Sequence, residues 1–142
     1  MSIYLDTSVL VALWSNEPMT FAVQKWMSQQ RTENLCISRW CITEFSSAMA
    51  GKLQIGSITE YERAEALAAF GNAARRSFSV LEVDQHAFQR AAIFANQAGL
   101  RVRSGDALHL AVAAGEGLPI VTLDQGMQVA AKALGIGVIE IQ

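Results

Sequence analysis

Short runs of apolar residues recur along the chain and give the first indication of its fold. Five such runs, most of them rich in Val, Ile and Leu, cover residues 3–5, 35–38, 79–83, 119–123 and 137–141. They are nearly continuous, without a clean alternation of apolar and polar residues. Such runs are typical of strands that are buried on both faces of a parallel sheet. The pattern therefore predicts five short strands.

The segments between these runs carry apolar residues at helical spacing. The predicted helices cover residues 20–31, 40–53, 59–75, 85–98, 105–114 and 125–134. Thr59 and Glu62 form a Thr-x-x-Glu capping box. Other candidate N-caps precede four of the helices, namely Ser38, Asp84, Ser104 and Asp124. Glycines are predicted to end three of them, at Gly99, at Gly115 or Gly117, and at Gly135.

Strands that alternate with helices predict an α/β domain with a parallel sheet and helices on both of its faces. The length of 142 residues suits one domain with one core, spanning residues 1–142. In such domains the sites lie at the carboxyl ends of the strands, near the switch in strand order. The strand ends are therefore the first place to look for chemistry.

Composition narrows the class of protein. Hydrophobic residues make up 51% of the chain and charged residues 17%, which favours a compact globular protein. The net charge of -2 does not by itself mark a nucleic-acid-binding domain. Cys36 and Cys41 cannot form a disulfide framework, so we expect reduced, packed thiols in a cytoplasmic protein. Neither a signal peptide nor a membrane span is expected.

Four acidic residues stand where the predicted sheet would bring them together. Asp6 follows the first strand directly, and Asp124 lies at the end of the strand near residue 120. Asp106 lies in the first turn of its helix, and Glu44 lies in the first two turns of the helix after Ser38. Helix starts in an α/β domain face the same edge as the strand ends. The sequence therefore predicts that these acids meet in one cleft.

Each acid alone also has an ordinary structural interpretation. Asp106 could favour its helix N-terminus, Asp124 could be an N-cap, and Asp6 could end a strand in a turn. Glu44 and Asp106, however, are surrounded by apolar residues. A carboxylate beside buried residues is costly unless it is paired or binds a cation. The joint placement of the four acids therefore favours a functional site.

Clustered carboxylates repel each other and need a counter-charge to stay ionised. Mg²⁺ or Mn²⁺ fits, because both are hard ions that prefer oxygen ligands. Zinc is disfavoured, since the cysteines and histidines are not clustered in the sequence. An ion held by carboxylates can orient and activate a water and neutralise a phosphate. Metal-assisted hydrolysis of a phosphodiester is a natural use of such a site.

The acids lie within longer motifs that occur in a fixed order. These are Tyr-Leu-Asp-Thr-Ser at residues 4–8, Ser-Arg-Trp-Cys-Ile-Thr-Glu at 38–44, Leu-Arg-Val-Arg-Ser-Gly-Asp-Ala-Leu-His-Leu-Ala at 100–111, and Ile-Val-Thr-Leu-Asp at 120–124. Ala-Lys-Ala-Leu-Gly-Ile follows at 131–136. The ordered set resembles the PIN-domain family, specifically its VapC-type toxin ribonucleases, over almost the whole chain.

The resemblance implies a Rossmann-like α/β/α sandwich with about five parallel strands. It also implies an endoribonuclease that needs Mg²⁺ or Mn²⁺ and leaves a 5′-phosphate and a 3′-hydroxyl. Such a protein is the toxin of a toxin–antitoxin pair, usually a homodimer, silenced by a small antitoxin that inserts into the cleft. The family's acids correspond to Asp6, Glu44, Asp106 and Asp124. Ser8 and Thr122 match small polar positions that would hydrogen-bond the carboxylates or the metal waters.

The sequence departs from the family pattern after Asp124. Many relatives carry another acid shortly after this position, whereas residues 125–128 here are Gln-Gly-Met-Gln. We therefore expect one firmly bound metal in the resting protein, with Asp6 and Asp124 as direct ligands and the other two acids bound through water. His109 lies three residues after Asp106, and a packed histidine is favoured over a general base.

Two surfaces are candidates for binding partners. Arg39, Arg101 and Arg103 lie close in sequence to the proposed site and are predicted to bind RNA phosphates. The helix at residues 20–27, with Trp14 nearby, carries bulky apolar side chains. These belong either to the core or to a groove for an amphipathic antitoxin helix, and an exposed apolar patch would favour the groove.

Two other functions remain open at this point. One is a phosphatase or phosphotransferase in which Asp6 becomes covalently phosphorylated. Such enzymes usually need a second aspartate close after the first and a late lysine. Here Thr7 and Ser8 follow Asp6, and Lys132 is the only late lysine. The other is a non-catalytic module that binds RNA or a regulatory partner, against which the presence of all four acids speaks.

Overall fold

The computed structural model describes residues 1–142 and contains a five-stranded parallel sheet. The strands are β1 (Ile3–Leu5), β2 (Leu35–Ser38), β3 (Ser79–Leu81), β4 (Ile120–Val121) and β5 (Val138–Ile139). Their order in the sheet is β3-β2-β1-β4-β5, and all neighbours are parallel. All five strands coincide with the apolar runs of the sequence, because the central strands are buried on both faces.

Seven helices flank the sheet. They are α1 (Thr7–Trp14), α2 (Thr20–Ser28), α3 (Arg39–Gln54), α4 (Glu60–Arg76), α5 (Gln85–Ala95), α6 (Ser104–Glu116) and α7 (Gln125–Ala133). Short 3-10 turns lie at Thr32–Asn34 and Ala98–Leu100. Helix α1 contacts α2, α3 and α4, α3 also contacts α4, and α5 packs on α6. The predicted α/β/α sandwich is thereby confirmed.

The order of the strands changes direction at β1. From β1 the chain moves outward through β2 to β3, and it then crosses to β4 and β5 on the other side. Tyr4 pairs with Cys36 of β2 and with Ile120 of β4. The carboxyl ends of β1 and β4 therefore frame the switch point, where α/β sheets form their binding crevice.

An aromatic cluster fills the core on the side of α1, α3 and α4. The ring of Trp14 lies 6.3 Å from Phe45, 5.6 Å from Phe70 and 6.1 Å from Phe78 between ring centroids. Phe45 and Phe70 are 4.3 Å apart. Trp14 is half-buried against this cluster, so core packing is the interpretation that its contacts support.

Helix α1 was not predicted. Its sequence, Thr-Ser-Val-Leu-Val-Ala-Leu-Trp, is apolar almost all round and has no amphipathic period. Two valines also lower its helix propensity slightly. The helix forms because Asp6 caps it, with its side chain accepting from the amide of Val9, and because half of its residues are buried.

Three predicted helix boundaries were wrong. Helix α2 ends at Ser28 rather than residue 31. Helix α5 ends at Ala95 rather than residue 98, and Gly99 lies inside the 3-10 turn that follows. Ser104 is the first residue of α6, and the backbone of Arg103 occupies the N-cap position without a side-chain cap. The remaining caps are as predicted, including the capping box of Thr59 and the left-handed glycines 117 and 135.

Cys36 and Cys41 are both buried and free, as expected for packed thiols. None of the helices combines the length and the hydrophobicity that crossing a membrane requires.

Candidate functional site

A cleft of about 330 Å³ opens at the carboxyl edge of the sheet. All four predicted acids line it, together with hydroxyl, imidazole and small apolar side chains. The lining residues are Asp6, Thr7, Ser8, Glu44, Ser47, Ala48, Asp106, His109, Asp124 and Met127. Four acids from four separate segments are thus brought to one place by the parallel sheet.

Asp6 is the most buried of the four acids, with only 2% of its surface exposed. Ser8 Oγ donates a hydrogen bond of 2.6 Å to its Oδ1, and Thr122 Oγ1 donates one of 2.6 Å to its Oδ2. Burial raises the pKa of Asp6, while the charge of His109 and the two hydroxyls oppose that rise. Each carboxylate oxygen keeps further acceptor capacity beyond its hydroxyl partner.

The same two hydroxyls tie together the loops after β1 and β4. Thr122 Oγ1 accepts from the backbone amide of Asp124 at 3.1 Å. Ser8 Oγ accepts from the amide of Leu123 at 3.0 Å. Because Thr122 contacts Asp6 and the backbone of Asp124, the relative position of these two acids is fixed by side-chain hydrogen bonds across the switch point.

Glu44 extends from α3 and is held by two donors on one oxygen. Thr7 Oγ1 donates to Glu44 Oε1 at 2.6 Å, and His109 Nε2 lies 2.5 Å from the same atom. Burial raises the pKa of Glu44, but the hydrogen bonds from His109 and Thr7 outweigh it and lower that pKa overall. Its other oxygen, Oε2, lies 3.2 Å from where a Cβ on Gly105 would stand.

His109 is buried below the cleft, with 2% of its surface exposed. Its Nδ1 lies 2.7 Å from the hydroxyl of Tyr4, and Thr7 Oγ1 lies 3.4 Å from its Nε2. Burial disfavours its charged form, yet hydrogen bonds with Cys41 and Glu44 raise the pKa of His109 to about 10. The packed histidine that the sequence favoured is therefore part of a polar network.

Asp124 is the most exposed acid of the cleft, whereas Asp106, like Glu44, is half-buried. Burial raises the pKa of Asp106, and the negative charges of Asp124, Asp6 and Glu44 raise it further. The repulsion among the carboxylates therefore adds to the effect of burial on the pKa of Asp106, while the charge of His109 opposes both. Asp124 is exposed and caps α7, because its Oδ1 accepts from the amide of Met127 at 3.0 Å.

The donor set of the cleft fits a hard divalent cation. It offers carboxylate and hydroxyl oxygens, repelling negative charges, and no thiolate. No three His, Cys, Asp or Glu side chains are grouped as a ready-made metal cage. The oxygen donors of the cleft are those that Mg²⁺ prefers, and Mg²⁺ usually takes only one or two carboxylates directly and keeps several waters.

None of the three arginines predicted to bind RNA lines the cleft. Arg39 forms an exposed ion pair with Glu82, with 3.0 Å between Nε and Oε1. Arg101 adopts a left-handed conformation with φ of 55°, the only non-glycine residue to do so. Arg103 precedes α6, whose first turn carries Asp106.

Sequence reasoning missed the contacts of Thr7 and Tyr4. Thr7 was seen only as the residue after Asp6, and Tyr4 only as part of a strand. Their partners Glu44 and His109 lie 37 and 105 residues away along the chain. No local spacing encodes such contacts, and only the parallel pairing of β1 with β2 and β4 creates them.

Solved structures of toxins and toxin–antitoxin complexes share this fold. VapC20 of Mycobacterium tuberculosis, described as a sarcin-ricin loop cleaving toxin, superposes with a TM-score of 0.73 at 16% identity, covering 91% of this chain and 95% of that one. VapBC2 of Rickettsia felis, bound to a promoter DNA fragment, superposes with a TM-score of 0.74 at 15% identity, covering both chains completely. DNA-bound VapBC of Salmonella typhimurium superposes with a TM-score of 0.73 at 18% identity, covering 99% of this chain and 98% of that one.

The sequence places the chain in a family independently of these superpositions. A search of curated proteins gave no significant match. The family model of the PIN domain, however, matches residues 3–133, which include all four acids of the cleft. That stretch begins with β1 and ends with α7, so it covers the whole frame of the site. The chain belongs to the PIN domain family.

Proposed function

We propose that this protein is a Mg²⁺- or Mn²⁺-dependent endoribonuclease, with Asp6, Glu44, Asp106 and Asp124 as its metal-binding and catalytic residues. The chain would act as a single PIN-like nuclease domain. One observation carries the proposal, namely the meeting of four acids from four segments in one cleft at the switch point of the sheet. Membership of the PIN domain family supports it.

Each acid has a distinct part in this proposal. Asp6 and Asp124 bind the metal ion directly, while Glu44 and Asp106 bind it through water. Ser8 and Thr122 hold the carboxylate of Asp6 in place. When bound, the divalent ion supplies an activated water and neutralises charge that develops on the scissile phosphate.

RNA would approach the cleft along its basic neighbours. Arg101 and Arg103 stand in the loop that leads into the helix of Asp106, where they could bind backbone phosphates. Arg39 is a weaker candidate, because Glu82 already neutralises part of its charge. The strained backbone of Arg101 fits a functional role, since left-handed non-glycine residues cluster at binding sites.

We also propose that the protein is the toxin of a VapBC-type pair and is silenced by a small antitoxin. The structural likeness to VapBC complexes supports this. A mostly apolar pocket of about 390 Å³ adjoins the acidic cleft through Thr7 and Ser8, and it suits the apolar side of an antitoxin segment. Met19 on its rim and Phe21 nearby on α2 are exposed. A cytoplasmic homodimer remains part of the proposal on the family resemblance.

The phosphotransferase alternative has little support. Such an enzyme usually needs a second aspartate close after the nucleophile and a lysine near the site. Thr7 and Ser8 follow Asp6, so the second aspartate is absent. Lys132 does not line the cleft and lies instead beside Glu140, 3.5 Å away.

The proposal is tested by incubating the purified protein with labelled single-stranded RNA and Mn²⁺. Cleavage that leaves a 5′-phosphate and a 3′-hydroxyl, stops with EDTA and returns with excess Mn²⁺ is expected. Asp6→Asn should abolish cleavage while the protein stays folded by circular dichroism. The same assay separates the alternatives, because a non-catalytic module would bind RNA without cutting it.

Wild-type rates of cleavage by Asp6→Asn in the presence of metal would show that the assignment is wrong. Release of phosphate from a small phosphomonoester, without RNA cleavage, would favour the phosphatase alternative. Cleavage that persists at full rate in EDTA would contradict the metal dependence.

A further inference from the structure

His109 lies at the junction of a buried chain of hydrogen bonds that leads from the core to the acidic cleft. On one side its Nδ1 is 2.7 Å from Tyr4 Oη, which in turn lies 2.8 Å from Ser38 Oγ. On the other side its Nε2 is 2.5 Å from Glu44 Oε1. Both ring nitrogens are therefore engaged, and the chain connects β1, β2 and α6 to an acid of the site.

The acceptor at one end fixes the hydrogen on the ring. An ionised carboxylate can only accept hydrogen bonds, so Nε2 of His109 must carry a hydrogen and donate it to Glu44. This holds whether the ring is neutral or protonated. Because Nε2 is committed as a donor and Nδ1 faces Tyr4, neither nitrogen is free to take a proton from a water in the cleft.

The two donors on Glu44 select which of its oxygens stays available. Thr7 and His109 both bond to Oε1, whereas Oε2 accepts no hydrogen bond from the protein. Oε2 lies against Gly105, the residue before Asp106. A carboxylate held through one oxygen has little freedom to rotate, so His109 and Thr7 together set the orientation of the other oxygen.

We propose that His109 is a positioning residue, whose Nε2–H holds Glu44 so that Oε2 faces the water through which it binds the divalent cation of the cleft. This inference rests on the proposed function, since it assumes that the acids bind a cation. Outer-shell groups that orient a metal site typically change metal affinity or activity about 10- to 100-fold when they are replaced.

A matched pair of variants separates positioning from mere space filling. In His109→Gln the longer amide can place its nitrogen where Nε2 stands and keep the donor to Glu44. In His109→Asn the shorter amide reaches only the position of Nδ1 and keeps the bond to Tyr4. Each variant loses one of the two buried hydrogen bonds, so their thermal stabilities should fall together.

The measurement is the dissociation constant of Mn²⁺ from the full chain, by electron paramagnetic resonance of the free ion, with kcat and KM for RNA alongside. We expect His109→Asn to raise that constant about tenfold or more and to lower kcat with little change in KM. His109→Gln should stay close to the wild type in both its Mn²⁺ dissociation constant and its kcat. Equal Mn²⁺ affinities and equal kcat values for the two folded variants would overturn the proposal.

Failure of the proposed function gives a different result. A wild-type protein that binds no Mn²⁺ overturns both proposals, whereas one that binds Mn²⁺ but cuts no RNA overturns only the nuclease. In the latter case the two variants still decide on the role of His109 through their Mn²⁺ affinities.

If the His109 variants do not fold, Thr7 offers a second pair on the same oxygen of Glu44. Thr7→Ser keeps the hydroxyl that donates to Oε1, and Thr7→Val removes it at nearly constant volume. If the donors on Oε1 orient the carboxylate of Glu44, Mn²⁺ binding should weaken in Thr7→Val and not in Thr7→Ser. Identical Mn²⁺ binding by the two variants would contradict this orienting role.

Discussion

Replacing Gly105 with alanine should favour the helix and impair the site. Gly105 is the second residue of α6, and a glycine inside a helix is destabilising by roughly 0.5–1 kcal/mol relative to alanine. A Cβ at this position would lie 3.2 Å from Glu44 Oε2 and 3.5 Å from Trp40 Cζ2. The substitution therefore stabilises α6 but forces the carboxylate of Glu44 to move.

The size of that movement follows from the contact. An ordinary contact begins at 3.4 Å, so Glu44 Oε2 must retreat by at least a few tenths of an ångström. It cannot do so freely, because the other oxygen is held by Thr7 and His109. A misplacement of about 1 Å can lower a rate about 100-fold, so for a few tenths of an ångström we expect Gly105→Ala to lose about two- to fourfold in kcat/KM.

Gly51→Ala is the matched control. Gly51 lies in α3, and nothing stands within 4 Å of where its Cβ would be. It should therefore gain stability without a change in RNA cleavage. Thermal unfolding and kcat/KM are measured for both variants with Mn²⁺ present. If Gly105→Ala is as active as Gly51→Ala, the close approach of Glu44 to Gly105 does not matter for function, and the reasoning is refuted.

Three other substitutions or additions test separate parts of the site. Thr122→Val removes the hydroxyl that binds Asp6, so it should lower the free energy of unfolding in urea by about 1–3 kcal/mol and weaken Mn²⁺ binding. Thr122→Ser keeps the hydroxyl, and equal behaviour of the two variants would contradict this expectation. Mn²⁺ at about 100 times its dissociation constant should stabilise the wild type by about 2.7 kcal/mol, seen as a higher Tm, and Asp6→Asn should show no such shift. Arg103→Ala should weaken RNA binding and reduce the slope of its salt dependence by about one, whereas unchanged affinity at every salt concentration would argue against a phosphate contact.

The strands and the acids could be predicted from the sequence for a common reason. Buried parallel strands read as short apolar runs, and the acids follow those runs directly or stand in the first turns of the next helices. The prediction of Asp6 and Asp124 therefore rested on strand-end geometry as well as on the family resemblance. Glu44 and Asp106 depended more on the family resemblance, because a helix start is located less exactly than a strand end.

Helix α1 and the polar network below the cleft could not be predicted. An apolar helix that is buried on several sides lacks the period by which helices are recognised. The contacts of His109 with Tyr4 and Glu44 join residues 105 and 65 positions apart. These contacts form only when β1, α3 and α6 pack together. The sequence therefore indicated that His109 is buried but did not identify the residues that it contacts.

The sequence also could not show which of the arginines Arg39, Arg101 and Arg103 is already paired with an acid. Arg39 was grouped with Arg101 and Arg103 because all three stand close to an acid in sequence. In the folded chain Arg39 forms an ion pair with Glu82, a residue beyond the end of β3. Exposed pairs of this kind contribute little to stability, yet they reduce the charge that is free to bind a phosphate.

The proposal that the four acids form one metal site is tested most directly by anomalous diffraction from crystals grown with Mn²⁺. At the manganese edge we expect a peak in the cleft, within coordinating distance of carboxylate oxygens of Asp6 and Asp124, with Glu44 and Asp106 reached through ordered waters. A peak held only by residues outside the cleft, or no peak at saturating Mn²⁺, would contradict the assignment of this site.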